Sequence, residues 1–120
     1  MRVGNGSADS GTNYSSTLLR GNGSTTLSRR QTNLSQFDEW SYNTLSTSQF
    51  VPVTIHLNNY SNTTTYKTFL SRTSDSGQEV LTAVGLWRST AAINFITLAT
   101  NNSAGYAAGS TFTLYGIAAA

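Results

Sequence analysis

From Gly85 to Ile117, apolar and hydroxyl-bearing side chains interleave with a period of two, and β-branched and aromatic types dominate. Gly85-Leu86-Trp87-Arg88-Ser89-Thr90-Ala91-Ala92-Ile93-Asn94-Phe95-Ile96-Thr97-Leu98 leads through a small-residue loop into Ser110-Thr111-Phe112-Thr113-Leu114-Tyr115-Gly116-Ile117. Alternation of this kind puts successive side chains on opposite faces of an extended chain, so the stretch is written for strands and against helices. Asn101-Asn102-Ser103-Ala104-Gly105 supplies turn residues between two of these strands.

The same signal recurs upstream. Residues 14–20 form a strand candidate carrying Tyr14, Leu18 and Leu19, and residues 25–30 and 35–42 show fainter alternation, the latter with Phe37, Trp40 and Tyr42. Helix is an option only near residues 35–39. In residues 50–58, Val51, Val53, Ile55 and Leu57 fall on one face and Thr54, His56 and Asn58 on the other. Pro52 marks that strand as an edge or a bulge. Residues 64–72 resume with Tyr66, Thr68 and Leu70 on one side, and Asp75-Ser76-Gly77 reads as a turn. In residues 78–88, Val80, Val84 and Leu86 alternate against Leu81, Ala83 and Trp87, which predicts cover on both faces for part of the length.

A short echo, Gly4-Asn5-Gly6-Ser7 and Gly21-Asn22-Gly23-Ser24, predicts two tight type I′ turns flanking the strand at 14–20. A dinucleotide fingerprint would need a third glycine where Thr26 stands. Met1-Arg2-Val3 reads as the remnant of a strand whose partner comes from another chain or from residues ahead of it. Short strands separated by Gly, Asn, Ser and Asp turns give the expected fold class: all-β, an antiparallel β-sandwich of jelly-roll type. A chain of 120 residues suits one such domain, residues 1–120, open to the loss of N-terminal strands.

Composition limits the partners. Only 10% of residues are charged, with a net charge of +2, so the surface must be built from neutral polar groups. About three residues in ten are Ser or Thr. Aromatics at 11% and the alternating runs can still fill a core, which argues against wholesale disorder. Arg29-Arg30 is the one adjacent basic pair, too little for the multiple phosphate contacts of nucleic-acid binding. No apolar run approaches a membrane span, and Met1-Arg2-Val3 passes into Gly-Asn-Gly-Ser without a signal-peptide core. With no Cys, there are neither disulfides nor thiolate ligands or nucleophiles.

Catalytic constellations are not evident. His56 has no second His or Cys to complete a metal site. Asp38 and Glu39 are adjacent and would point to opposite faces of a strand. Asp9, Asp75 and Glu79 complete the carboxylates, without the converging pair that glycoside hydrolysis requires. Asp75-Ser76-Gly77-Gln78-Glu79 lacks the ligand spacing of a calcium loop. The expectation is therefore a protein that is not an enzyme and needs no cofactor. Seven Asn-x-Ser/Thr sequons match what so Asn- and Ser/Thr-rich a composition yields, and carry no inference of glycosylation. Among the aromatics, Trp87 reads as core, whereas Tyr60 and Tyr106, in expected loops, are the candidates for an interface or a sugar contact.

Residues 85–93 and 96–98, then Ala107-Ala108-Gly109-Ser110 running through Leu114-Tyr115-Gly116-Ile117, resemble the end of a group of virion structural proteins of tailed bacteriophages, mainly aquatic phages. Leu19-Arg20-Gly21-Asn22-Gly23-Ser24 and Asn59-Tyr60-Ser61-Asn62-Thr63-Thr64-Thr65-Tyr66-Lys67-Thr68 match as well, so the resemblance covers most of the chain in patches. It implies a β-sandwich located on the virion, as a head decoration or cement protein or as a head or tail fibre component. Its partners would be other capsid or fibre subunits and its own copies, a homotrimer foremost. It implies no catalytic residues, and it implies further N-terminal strands ahead of Met1. A glycan-binding, receptor-recognition module of a fibre is the alternative that the loop aromatics raise.

Overall fold

Alternation becomes two antiparallel sheets. The computed structural model describes residues 1–40, 49–75, 77–100 and 105–117. Among them run β1 (Arg2–Gly4), β2 (Tyr14–Gly21), β3 (Thr26–Leu34), β4 (Val53–Asn58), β5 (Lys67–Asp75), β6 (Glu79–Trp87) and β7 (Phe95–Thr97), with one 3-10 turn at Asp38–Trp40. Five strands form a sheet in the order β3-β2-β6-β5-β4, and β1 pairs with β7 in a second, two-stranded sheet. Every pairing is antiparallel. The chain is an all-β antiparallel β-sandwich with layers of unequal size.

The core lies between the layers. Tyr14, Ser16 and Leu18 of β2, Phe69 and Ser71 of β5, and Leu81, Ala83 and Trp87 of β6 turn their side chains inward. Met1, Val3, Phe37 and Ile93 close over them. Each large apolar side chain buried in this way contributes roughly 1.5–3 kcal/mol. Gly85 belongs to the inward row of β6, and a Cβ there would sit 2.7 Å from Phe37 Cδ2 and 2.9 Å from Phe69 Cδ2. The missing side chain is what admits the two tilted rings, whose centroids are 5.7 Å apart. This explains why residues 35–40 do not continue as a strand: Phe37 drops into the space over Gly85 and the backbone turns after it. Tyr42 lies outside the described residues.

Three expectations change. First, β6 is covered on one face only: Val80 and Val84 are exposed, because no layer lies over the outer side of the large sheet among the described residues. Second, β1 finds its partner within the chain, with Arg2 opposite Thr97, Val3 opposite Ile96 and Gly4 opposite Phe95. The Met1 amine donates to the Phe37 carbonyl at 2.9 Å, and Phe37 N donates back to Met1 at 2.8 Å. The buried Tyr14 hydroxyl holds Val3 from below, accepting from its N–H at 3.0 Å and donating to its carbonyl at 2.9 Å.

The third change concerns the Asn-Gly turns. Only the glycines take positive φ, 77° at Gly6 and 86° at Gly23, whereas a type I′ turn needs it at both central residues. Gly21 pairs with Thr26, leaving a four-residue loop organised by Asn22 Oδ1, which accepts from Ser24 N and Thr25 N at 3.1 and 2.7 Å. Asn62 does the same for Thr64 N and Thr65 N at 2.7 and 2.8 Å. Such side-chain-to-backbone bonds stand in for a tight turn. The first Asn-Gly pair joins no hairpin: Gly6 N donates to Asn94 Oδ1 and Asn5 Nδ2 to Ala92 O, tying the N-terminal loop to the β6–β7 connection.

Candidate interaction surface

Charge is used up inside or at the ends of the sandwich. Asp9 accepts from Trp87 Nε1 at 2.7 Å, Asn13 Nδ2 at 2.9 Å and Gly11 N at 2.8 Å, fastening the N-terminal loop to the end of β6. Burial alone would raise its carboxyl, but these three donors together hold it below the ordinary value. Glu39 is buried against Arg29, and desolvation wins over that cation to push its carboxyl up. Arg20 pairs with Glu79 at 3.2 Å. Lys67, buried, donates to the carbonyls of Thr65 and Thr90, and burial lowers its ammonium pKa. Arg2 and Arg88 bond backbone carbonyls of Ser35 and Thr12.

That leaves Arg30 and Arg72, which have no hydrogen-bond or ion-pair partner among the described residues. Both project from the outer face of the large sheet. Cross-strand register aligns Arg30, Thr17, Val84, Leu70 and His56 in one row, and Ser28, Leu19, Thr82, Arg72 and Thr54 in the next. Leu19, Val80 and Val84 are exposed there, ringed by threonines. None of the chain's five carboxylates lies on this face: Asp75 and Glu79 share the inward side of Leu81, and Asp9, Asp38 and Glu39 sit in loop and turn. His56 stands exposed opposite Leu70, remote in register from any acid. Among the described residues, no three His, Asp or Glu side chains converge.

A second surface is more unusual. Residues 111–117 form no strand, against expectation. Leu114, Tyr115 and Ile117 are 80%, 83% and 86% exposed, and Phe112 is also open to solvent. No backbone or side-chain hydrogen bond is made by residues 111–117. The alternation is that of a strand, but the segment pairs with no edge among the described residues. Its base is fixed: Ser110 N donates to Ala107 O at 3.1 Å, Gly109 takes φ of 89°, and a Cβ on Gly109 would lie 3.4 Å from Phe50 Cζ.

Phe50 also borders a groove of about 560 Å³ at one end of the large sheet, with Asn22, Gln49, Asp75, Gln78 and Glu79 among its lining. A shallower groove of about 190 Å³ crosses the outer face beside Arg30, Thr68 and Leu86. Of the two aromatics singled out from sequence, Tyr60 is 44% exposed in the turn after β4, where its carbonyl accepts from Ile93 N at 2.7 Å. Tyr106, 38% exposed, stacks edge-on against Phe112 at 4.8 Å. Neither borders either groove, and the two are not brought together. Sequence reasoning gave no role to Phe50 or Arg72, weighed Arg30 only as half of a basic pair, and read residues 110–117 as a strand without marking their apolar side chains as a surface. The arrangement can hold a partner by apolar contact, backbone pairing and two cations. Compared with known proteins, the chain matches no family model, no curated protein and no solved structure.

Proposed function

We propose that this chain is a structural protein of a tailed-phage virion, a capsid decoration or cement protein or a head or tail fibre component, that works by protein–protein assembly and not by catalysis. The observation that carries the assembly reading is the segment at 111–117, which presents four large apolar side chains and a backbone without hydrogen bonds to solvent. Exposed apolar surface of this kind marks contact sites on soluble proteins. The outer sheet face, apolar at its centre and free of carboxylates, supports the same reading. The virion assignment rests on the resemblance of residues 85–93, 96–98 and 107–117 to phage virion proteins. Its partners are then other capsid or fibre subunits and further copies of itself, a trimer foremost.

Mass spectrometry of purified particles tests this. Peptides of the chain at a stoichiometry above trace are expected, with labelled chain located on the shell or on an appendage by electron microscopy; particles without it would overturn the assignment. A second reading, a glycan-binding module of a fibre, is favoured by the end groove, where the exposed Phe50 ring stands beside Asn22, Gln49 and Gln78. Sugars are held by ring stacking with neutral amide hydrogen bonds. Tyr60 and Tyr106 would add contacts outside the groove. A glycan array answered by the native chain and lost in Phe50→Ala would carry this reading; an array without signal removes it.

A further inference from the structure

We propose that residues 110–117 of one copy add as a strand to the outer edge of β4, unpaired among the described residues, in a second copy. The inference rests on the assembly reading above and names the contact through which like chains meet. The donor is defined by two independent observations: a backbone at residues 111–117 that makes no hydrogen bond, and Phe112, Leu114, Tyr115 and Ile117 exposed upon it. Unpaired strands and unpaired sheet edges are templates for each other, main-chain bonds giving affinity and alternate side chains giving register.

The large sheet offers two edges, and charge distinguishes them. β3 carries the adjacent pair Arg29 and Arg30, the kind of charge that blunts an edge against added strands. β4 carries no Lys, Arg, Asp or Glu, and among the described residues nothing pairs with its far side. Pattern selects it too. Val53, Ile55 and Leu57 turn inward and are only half-buried at the margin of the core, while Thr54, His56 and Asn58 face out. The incoming segment has the same layout: Phe112 and Leu114 on one side, Thr111, Thr113 and Tyr115 on the other. Placed beside β4, its first set extends the thin edge of the core and its hydroxyls continue the threonine-rich outer face.

The occupant is a second copy because each chain holds donor and acceptor at once, while its own 111–117 segment does not pair with β4. In that placement Phe112 and Leu114 face the margin of the core, where an aromatic ring buries roughly 150–250 Å² when covered. A head-to-tail contact of this type closes into a ring when its rotation allows.

The test uses the full chain. Sedimentation over a concentration series should show self-association that Leu114→Asp and Thr113→Pro each weaken by on the order of tenfold or more. Neither variant should move the unfolding midpoint of the dilute chain, since residues 113 and 114 make no hydrogen bond within it. The chain has no cysteine, so engineered thiols report cleanly. Thr113→Cys mixed with Thr54→Cys or His56→Cys should give an oxidised pair of chains, and Thr113→Cys mixed with Ser28→Cys, on β3, should not. A chain that stays monomeric, association untouched by both variants, or crosslinking to β3 would each overturn the proposal. Crosslinking of Thr113→Cys to His56→Cys within one doubly substituted monomer would do so as well, by placing the segment on its own β4. Failure here leaves the virion assignment standing if the chain is still found in particles, and particles lacking the chain remove that assignment alone.

Discussion

The two ends of the described chain exchange the roles that their sequences suggest. Met1-Arg2-Val3 is too short to read as more than half a strand, yet it is buried and paired with β7. Residues 110–117 alternate over a full strand's length, yet 111–117 are exposed and unpaired. The difference is not propensity. β1 is held because a complete set of partners waits for it: Phe37 bonds the backbone of Met1 just ahead of it, Tyr14 bonds that of Val3, and the space beneath it is apolar. The later segment has equal or better strand chemistry but pairs with no edge of its own chain among the described residues. Alternation therefore specifies what a segment can do, and the rest of the fold decides whether it does so in the same chain.

That contrast can be broken at its support. Phe37 is fully buried, bonds Met1 through its backbone and fills the gap over Gly85. Phe37→Ala should cost about 3–5 kcal/mol of unfolding free energy in a urea titration, the usual loss for a large aromatic removed from a core. A loss under about 1 kcal/mol would mean that the N-terminal strand is docked no better than the exposed segment. Acidity tests the same end more gently. Desolvation of the Met1 amine is the main cause that lowers its pKa from 8.0 to about 5. Between those values the unfolded chain binds the proton and the folded chain does not, so stability rises with pH across the window, being lowest below pH 5 and fully recovered above 8. The gain for the chain with a free amine is on the order of 2–4 kcal/mol. Urea midpoints flat from pH 5 to 8 would show the amine to be solvated.

Much of the large sheet is legible in the sequence because its strands carry their own evidence. The inward and outward sets of β4 follow from the alternation of Val53, Ile55 and Leu57 with Thr54, His56 and Asn58, and Trp87 is core as its neighbours suggest. What fails is anything decided by a distant partner. Val80 and Val84 look like a second buried face only if a layer covers them. The Asp9–Trp87 bond joins residues 78 apart, and no local spacing announces it. Gly85 reads as a weak point in a strand until Phe37 is seen above it. The candidate surface is hidden for the same reason: Tyr60 and Tyr106 stand out as loop aromatics, whereas Leu114, Tyr115 and Ile117 are camouflaged by a pattern that ordinarily means burial.

The smallest expected effect sharpens the comparison most. Val3→Ser and Ile117→Ser each replace one β-branched residue near an end of the described chain by a hydroxyl. Val3 is 0% exposed, so its variant loses packing and buries a polar group, at a cost of about 2–4 kcal/mol. Ile117 is 86% exposed, so its variant should stay within about 0.5 kcal/mol of the parent in dilute solution. Concentration then separates the two a second time. An interaction between copies stabilises only the folded state and grows with protein concentration. The parent and Val3→Ser should therefore gain thermal stability as the chain is concentrated, while Ile117→Ser gains less. Equal concentration dependence in both variants would mean that residues 110–117 remain solvent-facing in the assembled state as well as in the single chain.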